Sequence, residues 1–209
     1  MESTHYNQIA GQSLERISAL SDGIFSVAMT LLVLDLHLPS INLIHSENEL
    51  WHALLALLPQ LGVLAMSLLT LGIFWIGQQT QFSQFKKIDR NLTWVQIVFL
   101  FAVLIMPFST KLLAEFITYR VAFAIYWVNM LALGILVFTS WHYANIHGLV
   151  KADLPKGIDT AVRRRIIIAQ SLYAFGALLC LVNTYWSLGF LLLVQLNYAI
   201  APKFGRFLA

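Results

Sequence analysis

The 209 residues are 59% hydrophobic and only 11% charged, with a net charge of +3 at pH 7 and a mean hydropathy of +0.74. A soluble domain is about a quarter charged, so the chain reads as a multispanning all-α membrane protein with no soluble domain left to assign. The basic residues lie between apolar runs, which suits lipid headgroups and argues against a nucleic-acid partner.

The polar stretch MESTHYNQIAGQSLER at residues 1–16 lacks the basic start and small-residue cleavage site of a signal peptide, and is expected to stay on the mature protein. A hydrocarbon core about 30 Å thick needs roughly 20 helical residues. Windows of that kind fall near 17–38, 53–78, 92–114, 121–146, 166–184 and 186–202, which predicts one domain, 1–209, of six transmembrane helices. Only Asn183, Thr184 and Tyr185 separate the last two windows. A single helix of that length would extend about 55 Å at 1.5 Å per residue, too long for one bilayer, so a hairpin is expected.

Of the 13 lysines and arginines, Arg16, Lys86, Lys87, Arg90, Lys151, Lys156, Arg163, Arg164, Arg165, Lys203 and Arg206 fall in segments on one side of the predicted bundle. Lys111 and Arg120 fall on the other. Cytoplasmic segments carry the excess of Lys and Arg, so both termini are expected in the cytoplasm, as an even number of spans requires. The Arg163–Arg165 run is read as an orientation anchor, with recognition of lipid headgroups as its other reading. Cys180, the single cysteine, has no partner for an intrachain disulfide and reads as a packing residue.

The first window, ISALSDGIFSVAMTLLVLDLHLP, is apolar enough to cross a membrane yet keeps Ser18, Ser21, Asp22, Ser26 and Thr30. At 100° per residue, Arg16, Gly23, Val27, Thr30 and Leu34 fall within about 60° of one another, with Ser26 at the edge of that face. Asp22 points about 100° and Asp35 about 120° away from its centre, toward neighbouring helices where a carboxylate must find donors. Two readings of this mixed face stand. Small and hydroxyl residues let membrane helices approach one another. The other reading is a pore wall, with Val27 and Leu34 as apolar narrowings and a Thr30 hydroxyl between them, which requires several copies around an axis.

The remaining candidates carry less. His37, His45 and His52 lie near the outer loop without the spacing of a helical metal pair, His142 and His147 are five apart, and no metal site beyond permeating cations is expected. Asp35, Glu47 and Glu49 read as solvated acids, or as a cation-attracting rim. No nucleophile triad, phosphate-binding loop or paired catalytic carboxylates appear, so the chain reads as no enzyme.

The stretch RISALSDGIFSVAMTLLVLDLHLP resembles the first-helix signature of the endolysosomal potassium channel family, transmembrane protein 175, in its single-unit bacterial form: an arginine, then Phe-Ser-Asp, then an apolar run ending in Leu-Asp-Leu. FWIGQQTQF (74–82) and MPFSTKLL (106–113) resemble that family's second and third helices. The resemblance implies a six-helix subunit, a homotetramer in the bilayer, and a central potassium path lined by the first helix without a TVGYG filter. The family's constriction positions land on Val27, Thr30 and Leu34, with Gly23 and Ser26 as weaker members of the same face. Arg16, Ser21 and Asp22 match the polar network that holds the first helix, to which Trp75, Gln78 and Gln79 are expected to contribute donors, with Trp94 and Gln96 as further candidates. Leu20 stands where the motif has phenylalanine, and Gln78 and Gln79 where the family often has histidine; glutamine does not titrate, which puts proton sensing through that network in doubt.

The expectation is therefore a passive potassium channel for monovalent cations, without cofactors, in a prokaryotic plasma membrane. A secondary transporter, or a membrane scaffold without transport, is the alternative. No internal repeat and no Gly-Pro break within the first helix is evident, and both observations favour the channel.

Overall fold

The structure is a computed structural model that describes residues 13–34, 36, 44–155 and 157–200. Asp35, His37, Lys156, Lys203 and Arg206 lie outside the described residues. Among those described, the chain forms seven helices: α1 (Leu14–Leu34), α2 (Glu47–Ala56), α3 (Leu58–Gln84), α4 (Arg90–Glu115), α5 (Arg120–Ile146), α6 (Ile158–Leu179) and α7 (Thr184–Ile200). Four of them, α1, α3, α4 and α5, are long and apolar enough to cross a membrane by length and composition.

Side chains set where the helices begin. The Ser13 hydroxyl accepts from the backbone N–H of Arg16 at 3.3 Å, Ser46 from that of Glu49 at 3.3 Å, and the Asp89 carboxylate from that of Leu92 at 2.8 Å. Each satisfies an N–H that the first turn leaves without an intrahelical partner. Gly157, at φ +91°, supplies the left-handed turn that launches α6.

Several helix limits differ from those read in the sequence, with α3 running on to Gln84 and α6 ending at Leu179. The window at 53–78 divides into α2 and α3 around Leu57, because Pro59 in the first turn of α3 has no N–H to continue the ladder. At the other end α6 starts at Ile158 rather than near 166, so Arg163, Arg164 and Arg165 ride on its first turns instead of in a loop. Asp159 fixes that start: its carboxylate accepts from the Trp141 indole at 2.9 Å and from Arg163 at 2.8 Å. The expected hairpin is present, with Cys180–Asn183 turning between α6 and α7.

Helix α4 sits centrally, against α1, α3 and α5, while α6 packs on α5 and α7, and α7 closes back on α3. Phe25 of α1, Phe99 of α4 and Phe74 of α3 meet at one junction, with ring centroids 6.0 and 6.5 Å apart. At the basic end the α3–α4 and α5–α6 connections pair through backbone bonds, Lys86 N–H to the Leu149 carbonyl at 2.8 Å and Lys151 N–H to the Gln84 carbonyl at 3.0 Å. The hydroxyl of Tyr143 adds a bond to Asp89 at 2.8 Å. His142 and His147 stack on Phe138 and Tyr143 of the same helix.

The hairpin of α6 and α7 closes over Gly176. A Cβ built there meets the Leu191 side chain at 2.6 Å and Phe190 at 3.0 Å. Gly176→Val should therefore overpack this contact and cost about 1–3 kcal/mol, read as a lower melting temperature of the purified protein in detergent.

Candidate functional site

Helix α1 divides lengthwise. Ile17, Ser21, Phe25, Ala28 and Leu32 recur every three or four residues and are buried, against α3 and α4. The opposite side carries Arg16, Gly23, Ser26, Val27, Thr30 and Leu34. All six are exposed in the protomer, Val27 at 52% and Leu34 at 78%. A Cβ added at Gly23 meets nothing within 4 Å. The Thr30 hydroxyl donates to the Val27 carbonyl at 2.8 Å, which commits its proton to the backbone and leaves its lone pairs available as acceptors.

Asp22 lies on the flank of that face and turns to α3. One of its carboxylate oxygens accepts from the Trp75 indole N–H at 2.8 Å and from the Gln79 amide at 2.7 Å. Trp75 and Gln79 are four residues apart, so one face of α3 delivers both donors. The Ser18 hydroxyl also donates to Gln79, at 3.4 Å. Of these three bonds, the two to the carboxylate are of the stronger kind, and the one to the Gln79 amide oxygen is an ordinary neutral bond.

Gln78, one step round α3, joins a different set. It accepts from the Ser21 hydroxyl and donates to Gln96 at 2.8 Å, and Gln96 donates in turn to the Ser140 hydroxyl at 2.6 Å. Ser21, Gln78, Gln96 and Ser140 are all buried, so a single chain of hydrogen bonds crosses α1, α3, α4 and α5. None of these four groups titrates near neutral pH, so the chain keeps one set of donors and acceptors.

Of the residues singled out in the sequence, Ser21, Asp22, Trp75, Gln78 and Gln79 are brought together in these two adjoining sets. Arg16 stands on the exposed face and joins neither among the described residues, and Gln96 bonds Gln78 rather than Asp22. Trp94 is exposed and takes no part. Ser18 and Ser140 were not singled out as partners; the sequence signal for Ser140 is a pair of neighbouring hydroxyls, Thr139 and Ser140, in an apolar helix. A second buried cluster also escaped the sequence reading. Gln195 of α7 donates to Thr70 at 2.7 Å, Thr110 of α4 donates to Ser67 at 2.8 Å, and the Tyr126 hydroxyl lies 3.3 Å from both Ser67 and Thr70.

The family model described as the endosomal/lysosomal potassium channel TMEM175 matches residues 16–107, the span that holds α1, α3 and most of α4. A potassium channel of Streptomyces collinus is 30% identical over 194 residues, covering 90% of this chain and 84% of that relative. One of Chamaesiphon minutus is 27% identical over 189 residues, covering 88% and 93%. The crystal structure of a lysosomal potassium-selective channel TMEM175 homologue from Chamaesiphon minutus superposes with a TM-score of 0.77 at 25% identity, covering 91% of this chain and 98% of that one.

The relay has a measurable signature. Gln78→Leu and Gln96→Leu should each cost about 1–3 kcal/mol, because each strands buried donors or acceptors of its neighbours. The double variant should fall short of the sum of the two by about 0.5–3 kcal/mol, since the second change removes a group the first has already orphaned. Thermal or denaturant melts of the four proteins check both.

Proposed function

Because this chain belongs to the TMEM175 potassium channel family, we propose that it assembles as a homotetramer whose four α1 helices line a central path for passive potassium conduction. The family is one of ion channels and not of enzymes. The observation that carries the reading is the division of α1: one side is locked to α3 and α4, and the uncovered side alternates Val27, Thr30 and Leu34 with Gly23 and Ser26. That face is too polar for lipid chains, and a single helix encloses nothing, so symmetry must supply the other walls.

On this reading Val27 and Leu34 form apolar rings, and Thr30 a ring of hydroxyl oxygens between them. Potassium holds its water less tightly than sodium, so a dehydrating neck penalises sodium more, and the lone pairs of Thr30 replace part of the lost shell. Asp22, bound sideways by Trp75 and Gln79, anchors the wall rather than touching ions. Arg16 is a pore-face residue at the entrance on this reading.

Helices α6 and α7 complete six spans with α1, α3, α4 and α5, while α2 lies outside the hydrocarbon. Helix α7 has 17 residues, and α6 carries its charges in its first turns, so a short, tilted or partly interfacial hairpin suits both. Arg16, Lys86, Lys87, Arg90, Lys151 and Arg163–Arg165 lie at helix ends or connections on one side of the proposed spans, which supports a cytoplasmic position for that side and for both termini in a prokaryotic cell.

Flux from proteoliposomes loaded with potassium or sodium is the direct test. Val27→Thr keeps side-chain volume and should raise potassium flux several-fold by wetting the neck. Leu34→Cys in a Cys180→Ser background should become modifiable by a small charged thiol reagent that then blocks flux. Thr30→Ala should lower the potassium-to-sodium ratio several-fold with the tetramer intact, read from bi-ionic reversal potentials. Unchanged flux in Val27→Thr, together with a folded Leu34→Cys variant that resists the thiol reagent, would exclude α1 as the pore wall.

A further inference from the structure

Away from α1, the basic end of the bundle holds a cavity of about 590 Å³ between α3, α5, α6 and α7. That volume lies within the roughly 300–1,000 Å³ of sites that enclose small amphiphilic ligands. Most of the lining is apolar, including Leu68, Gly72, Ile73 and Ile76 of α3. Its polar groups come from several helices, Thr80, Gln81 and Gln84 of α3 among them. Arg165, Gln170 and Tyr173 of α6 all line it, and Arg165 and Tyr173 stand about 12 Å apart along the helix at 1.5 Å per residue.

Three of the polar groups in this wall lack partners. The Tyr173 hydroxyl, Gln81 Oε1 and Gln170 Oε1 are each buried with no hydrogen bond, and Tyr173 and Gln81 are only 1% and 3% exposed as residues. Gln81 is held in place because its amide N–H donates to the Val137 carbonyl at 2.9 Å, which leaves its oxygen free for a ligand. Buried polar atoms without partners cost about 1–3 kcal/mol each, so a cavity with three of them calls for a hydrogen-bonding occupant. Two of the three are amide oxygens, which need donors. The cation nearby, Arg165, lies 5.9 Å over the Tyr198 ring, and among the described residues no carboxylate neutralises it, in contrast to Arg163 on Asp159.

We propose that this cavity binds an anionic phospholipid whose headgroup carries hydroxyls, of the phosphatidylglycerol type. Its phosphate pairs with Arg165, its hydroxyls donate to Gln81 and Gln170, and the start of one acyl chain lies along the apolar wall of α3. A zwitterionic choline lipid supplies a phosphate but no hydroxyl donor, and its own cation opposes Arg165. Inorganic phosphate supplies the charge without the apolar part. The site is separate from the α1 face, so it stands or falls independently of the conduction pathway.

Native mass spectrometry of the detergent-purified full chain, after incubation with phosphatidylglycerol, phosphatidylcholine or inorganic phosphate, tests this, with thermal melts alongside. The expected result is one phosphatidylglycerol retained per chain and a raised melting temperature, with at least about tenfold weaker retention of phosphatidylcholine and no effect of phosphate. Arg165→Gln and Gln81→Leu should each lower phosphatidylglycerol retention about fivefold or more, and the neighbouring Arg164→Gln, whose side chain does not line the cavity, should leave it unchanged. Tyr173→Phe, which keeps the ring, offers a further variant if Gln81→Leu folds poorly. Equal retention of both lipids, or phosphatidylglycerol retention that survives Arg165→Gln, overturns the proposal. So does stabilisation by phosphate alone.

Discussion

Helices in hydrocarbon have no hydrophobic reason to touch one another, because lipid tails are as apolar as leucine. What fixes the rotation of α1 in this protein is therefore the buried line from Ser21 through Gln78 and Gln96 to Ser140, reinforced by the close packing of Phe25 against Phe99. A rotation of α1 by one residue step, about 100°, would withdraw Ser21 from Gln78 and bury Asp22 or Leu20 in its place. The relay thus selects a single face of α1 to remain uncovered. Every property assigned to Val27, Thr30 and Leu34 depends on that selection.

Charge and neutrality divide the work. Inside the bundle the fastening is made of amides and hydroxyls, whose burial is tolerated once each donor meets an acceptor. The Asp22 carboxylate sits instead at the flank, where Trp75 and Gln79 hold it by two N–H donors. It faces away from the centre of the uncovered side, which on the proposed pore reading lets it hold the wall in place without offering a fixed binding charge to a passing cation. Gln78 and Gln96 do not titrate, so the relay offers pH no handle at either residue.

How much of this was legible in the sequence varies with the kind of signal. The division of α1 into two sides follows from 100° steps, as does the sideways direction of Asp22. The donors followed only in part. Gln78 and Gln79 are adjacent in the chain yet face different neighbours, and the pairing of Trp75 with Gln79 at a four-residue spacing was the available clue to which one meets Asp22. Gln78 repeats instead with Phe74 and Phe82 on the buried side of α3. Ser140 had no pattern to announce it, since its role depends on where α4 places Gln96. Hydropathy also misplaced helix limits, two of them for different reasons. It measures what lipid tolerates, so it opened the fifth window after Arg165, whereas Gly157 and the Asp159 bonds start α6 earlier. At Pro59 an unbroken apolar run concealed a missing N–H, and the ladder changes helix there regardless.

The basic end of the bundle is fastened differently, through its backbone. Loops there are stitched by bonds from Lys86 and Lys151 and by the Tyr143–Asp89 contact, so the starts and ends of α3, α4, α5 and α6 are held to one another. The long helices are consequently braced at that end and tied within the bundle by the relay. Helix α7 joins this frame through Gln195 on Thr70 and through the close approach at Gly176. Between these fastenings α3, α5, α6 and α7 leave a space that their own side chains do not fill, with Gln81 and Tyr173 turned into it. A frame held by bonds on all sides tolerates such a gap where a loosely packed bundle would collapse into it, and a lipid that fits the gap would become part of the bracing.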